Sequence, residues 1–160
     1  MNKKNQRNKV FVPLDLIADA IEMADDEWTQ YLDIEEMEVV SLPESSFMGQ
    51  YDEEDQELAD LIEEGWNERF FGLPSKFEIH EYDIMENFVW SLPEGRMQDS
   101  LESAIRGKGA FRRFKDAICR YDIEEDWYSF QEEQYRQIAR DWCESHGFAY
   151  DGMEKEIEES

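Results

Sequence analysis

The stretch Arg106-Gly-Lys-Gly-Ala-Phe-Arg-Arg-Phe-Lys115 joins two helical patterns and concentrates positive charge in a very acidic chain. Upstream of it, Met97, Leu101, Ala104 and Ile105 recur at helical spacing; downstream, Phe111, Phe114, Ala117 and Ile118 do the same. Gly107 suits the end of the first helix, where the backbone commonly turns left-handed. The downstream stripe predicts Phe111 and Phe114 in a core, which leaves Arg112, Arg113 and Lys115 pointing outward or sideways.

Working outward, the pattern on both sides stays helical. Ile84, Met85, Phe88, Val89 and Leu92 form a stripe that ends at Pro93-Glu-Gly95, and a longer helix over about 125–146 carries Trp127, Phe130, Ile138 and Trp142. Gly147 is placed to cap it. These stripes predict a C-terminal helical bundle over 82–146, with Phe111, Phe114, Trp127 and Trp142 buried.

The N-terminal half reads differently. Pro13 fits the first turn of a helix over 13–24, whose apolar residues are Leu14, Ile17, Ala18 and Ile21. From Thr29 to Leu42 the period shortens: Leu32 and Ile34 alternate with polar neighbours, and Val39, Val40 and Leu42 follow Glu35-Glu36. That predicts a β-hairpin with an acidic turn, closed by Pro43. A second helix is expected over about 53–69 from Leu58, Leu61, Ile62 and Trp66, and the alternation of Phe77 and Ile79 predicts a third strand at 76–80. The fold class is therefore α+β, mostly helical, with a small antiparallel sheet and a C-terminal helical bundle. The expected layout is a flexible basic arm at 1–9, one domain over 10–148 and an acidic tail at 149–160.

The 160 residues carry a formal net charge of -25. Lys3, Lys4, Arg7 and Lys9 lie in the first nine positions, then no Lys or Arg occurs from Val10 to Glu68 against 20 Asp and Glu. Self-repulsion of that size opposes direct contact with nucleic acid or an anionic membrane. No apolar run approaches the ~20 residues that span a bilayer. The basic start is not followed by an apolar segment, so a cytoplasmic location is expected. Two cysteines, Cys119 and Cys143, make no disulfide framework.

Tyr31-Leu-Asp-Ile34, Glu38-Val-Val40, Met85-Glu-Asn-Phe88, Leu101 to Asp116, Trp127-Tyr-Ser-Phe130 and Ala139-Arg-Asp-Trp142 together resemble the bacterial uncharacterised protein family zero-one-five-eight. The resemblance covers roughly residues 10–148 and is most specific at 101–116. It implies a small cytoplasmic α+β domain in bacteria and no established activity. At the hairpin turn this chain has Glu36-Met37 where the resemblance would place a Gly.

Chemistry-bearing constellations are few. Arg106, Lys108, Gly109, Arg112 and Arg113 could hold an anion at the start of a helix; the other reading is architectural, with Gly107 and Gly109 letting two helices meet and the bases pairing with acids such as Asp116. Asp52, Glu53, Glu54 and Asp55 are acids at a helix start and candidates for a face that meets a basic partner. Cys143-x-x-His146 supplies two potential ligands where a structural zinc site needs four. Neither a metal, a cofactor nor a catalytic residue is indicated. The leading expectation is a non-enzymatic binding or regulatory module that engages a protein with a basic surface. The alternatives are a nucleic-acid mimic that inhibits a DNA- or RNA-binding protein, and an enzyme or sensor for a small anion at 106–115.

Overall fold

The computed structural model describes residues 10–43 and 51–151. In chain order the elements are β1 (Phe11–Val12), α1 (Leu14–Glu22), β2 (Trp28–Asp33), β3 (Glu38–Pro43), α2 (Glu53–Glu64), β4 (Phe70–Gly72), α3 (Lys76–Ile79), α4 (Glu81–Ser91), α5 (Arg96–Ala104), α6 (Ala110–Arg120), α7 (Glu124–His146) and β5 (Ala149–Tyr150). The fold is α+β, mostly helical, with a small antiparallel sheet. The basic arm at 1–9, the loop at 44–50 and residues 152–160 of the expected tail lie outside the described residues. The chain divides into two compact units, Met1–Ile79 with Tyr135–Ser160, and His80–Gln134. The helical unit thus ends at Gln134 rather than at 146, and α7 contributes to both.

In the first unit the sheet has the order β3-β2-β4, antiparallel throughout. β2 and β3 are the hairpin the alternation predicts, with Tyr31 opposite Val40 and Leu32 opposite Val39. Because successive side chains leave a strand on opposite faces, Tyr31, Val40, Leu42 and Phe70 share one face. It packs on Leu58, Ala59 and Ile62 of α2. On the other face Phe71 meets Phe148 edge-on, ring centroids 5.0 Å apart. Trp142 donates its indole N–H to the Gly72 carbonyl at 2.9 Å.

Two expectations are corrected here. The third strand is Phe70–Gly72, and 76–79 is a single helical turn in which Ile79 is buried and Phe77 exposed. Two apolar residues two apart fit a short strand and one side of a helical turn equally badly. The second helix stops at Glu64, because Gly65 begins a tight reversal: its carbonyl accepts from the amides of Glu68, Arg69 and Phe70. A Cβ at Gly65 would lie 3.1 Å from both Arg69 Cβ and Phe70 Cδ2, closer than ordinary van der Waals contact, so a side chain there would push on both neighbours.

Ala149 and Tyr150, placed by the sequence reading in the acidic tail, instead form β5, which pairs in parallel with β1. Asp151 then accepts from the Leu14 amide at 2.8 Å. Pro13 gives α1 no side-chain cap, so the end of the described chain supplies one.

The second unit is the helical bundle. Phe88 meets Phe114, Trp127 and Phe130 at centroid separations of 6.1, 5.3 and 5.4 Å, and Phe114 meets Trp127 edge-on at 4.8 Å. Gln98 is buried, but its amide donates to the Val89 and Leu92 carbonyls at 3.1 and 3.0 Å. It thereby satisfies the open end of α4, where helix carbonyls lack internal partners. Phe114, Trp127 and Trp142 are buried as expected. Phe111 is not: it is 48% exposed. The buried stripe of α6 is Ala110, Phe114, Ala117 and Ile118, and Phe111 falls one position off it.

Candidate functional site

The 106–115 segment is held together by Arg113. Its Nε donates to the Ala104 carbonyl at 2.9 Å, and its two terminal nitrogens donate to the carbonyls of Lys108 and Arg106. Gly107 and Gly109 both have left-handed backbone, φ 76° and 78°, which an L side chain rarely adopts. A Cβ on Gly109 would also come within 3.0 Å of Arg113 Nη1. Arg106 pairs with Glu102 at 2.7 Å, one helical turn back. Of the five anion candidates, Arg113 therefore has acceptors in the loop and at the end of α5, and Arg106 has one on α5. Lys108 and Arg112 are exposed, and Gly109 serves the turn.

Asp52, Glu53 and Glu54 are exposed, and Asp55 is half-buried. Asp52 accepts from the Asp55 amide at 2.8 Å, so it is the N-cap of α2. Desolvation, followed by the neighbouring Asp52 charge, raises the Asp55 carboxyl above its ordinary value. These four acids have a structural use at the helix start, whatever else meets them.

The sequence reading missed an ion pair made to a buried carboxylate. Asp33 ends β2 and is 2% exposed. Arg69 grips it with two bonds, Nε to Oδ1 at 3.0 Å and Nη2 to Oδ2 at 2.9 Å, and reaches Glu35 at 2.9 Å as well. The amides of Glu35 and Glu36 also donate to Asp33 Oδ1, at 3.0 and 3.3 Å. Burial by itself would raise this carboxyl; the bonds from Arg69 and the two amides, with the Arg69 charge, hold it below its ordinary value of 3.8. The pair ties the hairpin turn to the reversal before β4, where the Ile34 amide also donates to the Arg69 carbonyl at 2.9 Å. The one available signal was that Arg69 is the first base after the base-free run.

Cys143 and His146 do not form a reactive pair. Burial pushes the Cys143 thiol up to about 12, which disfavours the free thiolate that nucleophilic chemistry needs. His146 Nδ1 lies 2.8 Å from the Trp142 carbonyl, and its ring stacks on Phe148. Among the described residues no group of three or more His, Cys, Asp or Glu is placed to hold a metal ion, and no helix is long and apolar enough to cross a membrane.

Two hollows remain. One, of about 280 Å³ in the helical unit, has Ile84, Phe114 and Trp127 for walls and Phe111, Lys115 and Tyr128 at its edge. The other, of about 180 Å³ in the sheet unit, is bounded by 24–30 and 73–77.

The chain matches the family described as Uncharacterised protein family (UPF0158) over residues 7–160. It belongs to that family. A UPF0158 protein of Pseudomonas aeruginosa is 28% identical over 93 residues, 58% of this chain and 60% of that protein's length. No solved structure matches. The family is described as uncharacterised, so membership fixes kinship and assigns none of the residues above a role.

Proposed function

We propose that this UPF0158 protein is a non-enzymatic, cytoplasmic binding or regulatory module that engages a protein partner with a basic surface. The observation that carries the reading is the base-free run Val10–Glu68 together with the exposure of most of its acids among the described residues. Asp19, Glu22, Asp25, Asp26, Glu27 and Glu38 are all exposed and make no ion pair among the described residues. Among the described residues, Arg69 and Arg136 bring positive charge to the run, on Asp33, Glu35 and Asp15. Unpaired surface acids stabilise nothing at home and raise self-repulsion, while a basic partner would gain from them in on-rate and specificity.

The 106–115 segment supports the same reading from the other side. Arg113 spends its donors on main-chain carbonyls, which gives the basic loop an architectural use. Affinity capture from a bacterial lysate, eluted in a rising salt series, tests the proposal. It predicts one or a few basic proteins released by moderate salt, because exposed charge pairing is screened over ~8 Å at physiological ionic strength. Recovery of no protein, or of a partner indifferent to salt, overturns it.

A further inference from the structure

The acidic surface has one concave spot with the equipment to choose among cations. The hollow at the start of β2 is bounded by Asp25, Asp26, Trp28, Gln30, Lys76 and Phe77, among others. Trp28 is 49% exposed and Phe77 82%, two large rings at the rim of one cavity where burial would be the norm. Asp25 and Asp26 are exposed carboxylates beside them, set against a single base, Lys76. Gln30 brings a third feature: its side-chain carbonyl oxygen is buried and has no hydrogen-bond partner among the described residues. A buried acceptor without a donor is costly, roughly 1–3 kcal/mol, and calls for an explanation.

We infer that this hollow receives an arginine side chain of the basic partner. The inference rests on the binding reading above and names the chemistry it selects. The volume of about 180 Å³ is below the ~300–1,000 Å³ of sites for drug-sized ligands, and suits one long side chain. Aromatic faces attract a cation through their negative quadrupole. A guanidinium is planar, weakly hydrated and able to stack on such rings, and it carries five N–H donors. Those donors can pair with the exposed carboxylates of Asp25 and Asp26, although Asp25 Oδ1 already accepts from the Glu27 amide at 2.7 Å, and with the Gln30 oxygen once that side chain turns into the hollow. A lysine ammonium is a compact, strongly hydrated point charge and gains less from the rings.

Two pentapeptides of equal charge separate the guanidinium effect from general attraction: all-lysine, and four lysines around a central arginine. Binding of each labelled peptide is followed by fluorescence anisotropy at ~0.15 M salt. The arginine peptide is expected to bind wild type about tenfold more tightly. Trp28→Ala or Phe77→Ala should abolish that advantage while leaving the all-lysine affinity alone, and both rings are exposed enough for the fold to survive their loss. Gln30→Leu removes the orphan acceptor at similar size; it should narrow the advantage without lowering the urea midpoint. Equal binding of the two peptides by wild type and by all variants overturns the arginine pocket and leaves the basic-partner reading standing. Failure of wild type to bind either peptide overturns both.

Discussion

Arg69 and Arg113 each tie a chain reversal together, but against different acceptors. Arg69 closes on the buried carboxylate Asp33, a charge taken out of water that needs its partner. Arg113 closes on three main-chain carbonyls in an exposed loop, where water can replace it at little cost. The first is a commitment of the sheet unit; the second is a refinement of the helical unit, whose stability comes from the rings of Phe88, Phe114 and Trp127. Sequence inspection singled out the second arginine because it sits in a cluster. The first, isolated one matters more, because burial and not charge density sets the cost of removal.

Truncation in the aromatic core should show the largest effect. Phe114→Ala should lower stability by ~3–5 kcal/mol, read from urea unfolding, whereas Phe111→Ala should cost well under that since its ring is 48% exposed. Equal costs for the two would break the assignment of the buried stripe of α6.

Next comes Arg69→Met, expected to lower the urea midpoint because it strands the buried Asp33 charge. The pH dependence has a definite sign. Asp33 has a folded value below 3.8, so its contribution in wild type is complete above the unfolded value and is lost as pH falls through the folded one. Urea midpoints taken at pH values from 6 down to 3 should therefore show the gap between wild type and variant closing toward the acid end. A gap that widens there would contradict the pairing.

The basic loop should respond less. Gly109→Ala forces a left-handed residue and crowds Arg113, for about 1–2 kcal/mol by thermal melting. Arg113→Gln should cost about 1 kcal/mol and Arg112→Gln almost nothing. Added phosphate should leave the wild-type melting temperature unchanged, since an anion that does not bind cannot stabilise. A phosphate-dependent rise lost in Arg112→Gln would restore the anion site.

These contrasts show what a single sequence exposes. The hairpin was legible because alternation over Thr29 to Leu42 is long enough to define a period. Phe70-Phe71-Gly72 was not, since three residues define none and they follow a helical pattern directly. Phe111 and Ala110 compete for one face of α6 at spacings that both satisfy a helix, and only packing decides between them. Contacts between residues far apart in the chain, such as Asp33 with Arg69 or Asp151 with the Leu14 amide, leave no local periodicity. The hollow of Trp28, Gln30 and Phe77 is invisible for the same reason, because it joins the start of one strand to the turn after another.

The claim that the acids of 10–68 are the partner-binding face is tested most directly by moving the same charge change between the units. One variant carries Asp19→Asn, Glu22→Gln and Glu27→Gln; the other carries Glu94→Gln, Glu125→Gln and Glu132→Gln. All six positions are exposed, and both variants gain the same charge. Affinity for the captured basic partner, measured by titration calorimetry at ~0.15 M salt, should fall about tenfold or more in the first and stay near wild type in the second. Equal weakening in both would mean that overall negative charge alone attracts the partner, and the base-free surface would not be its site.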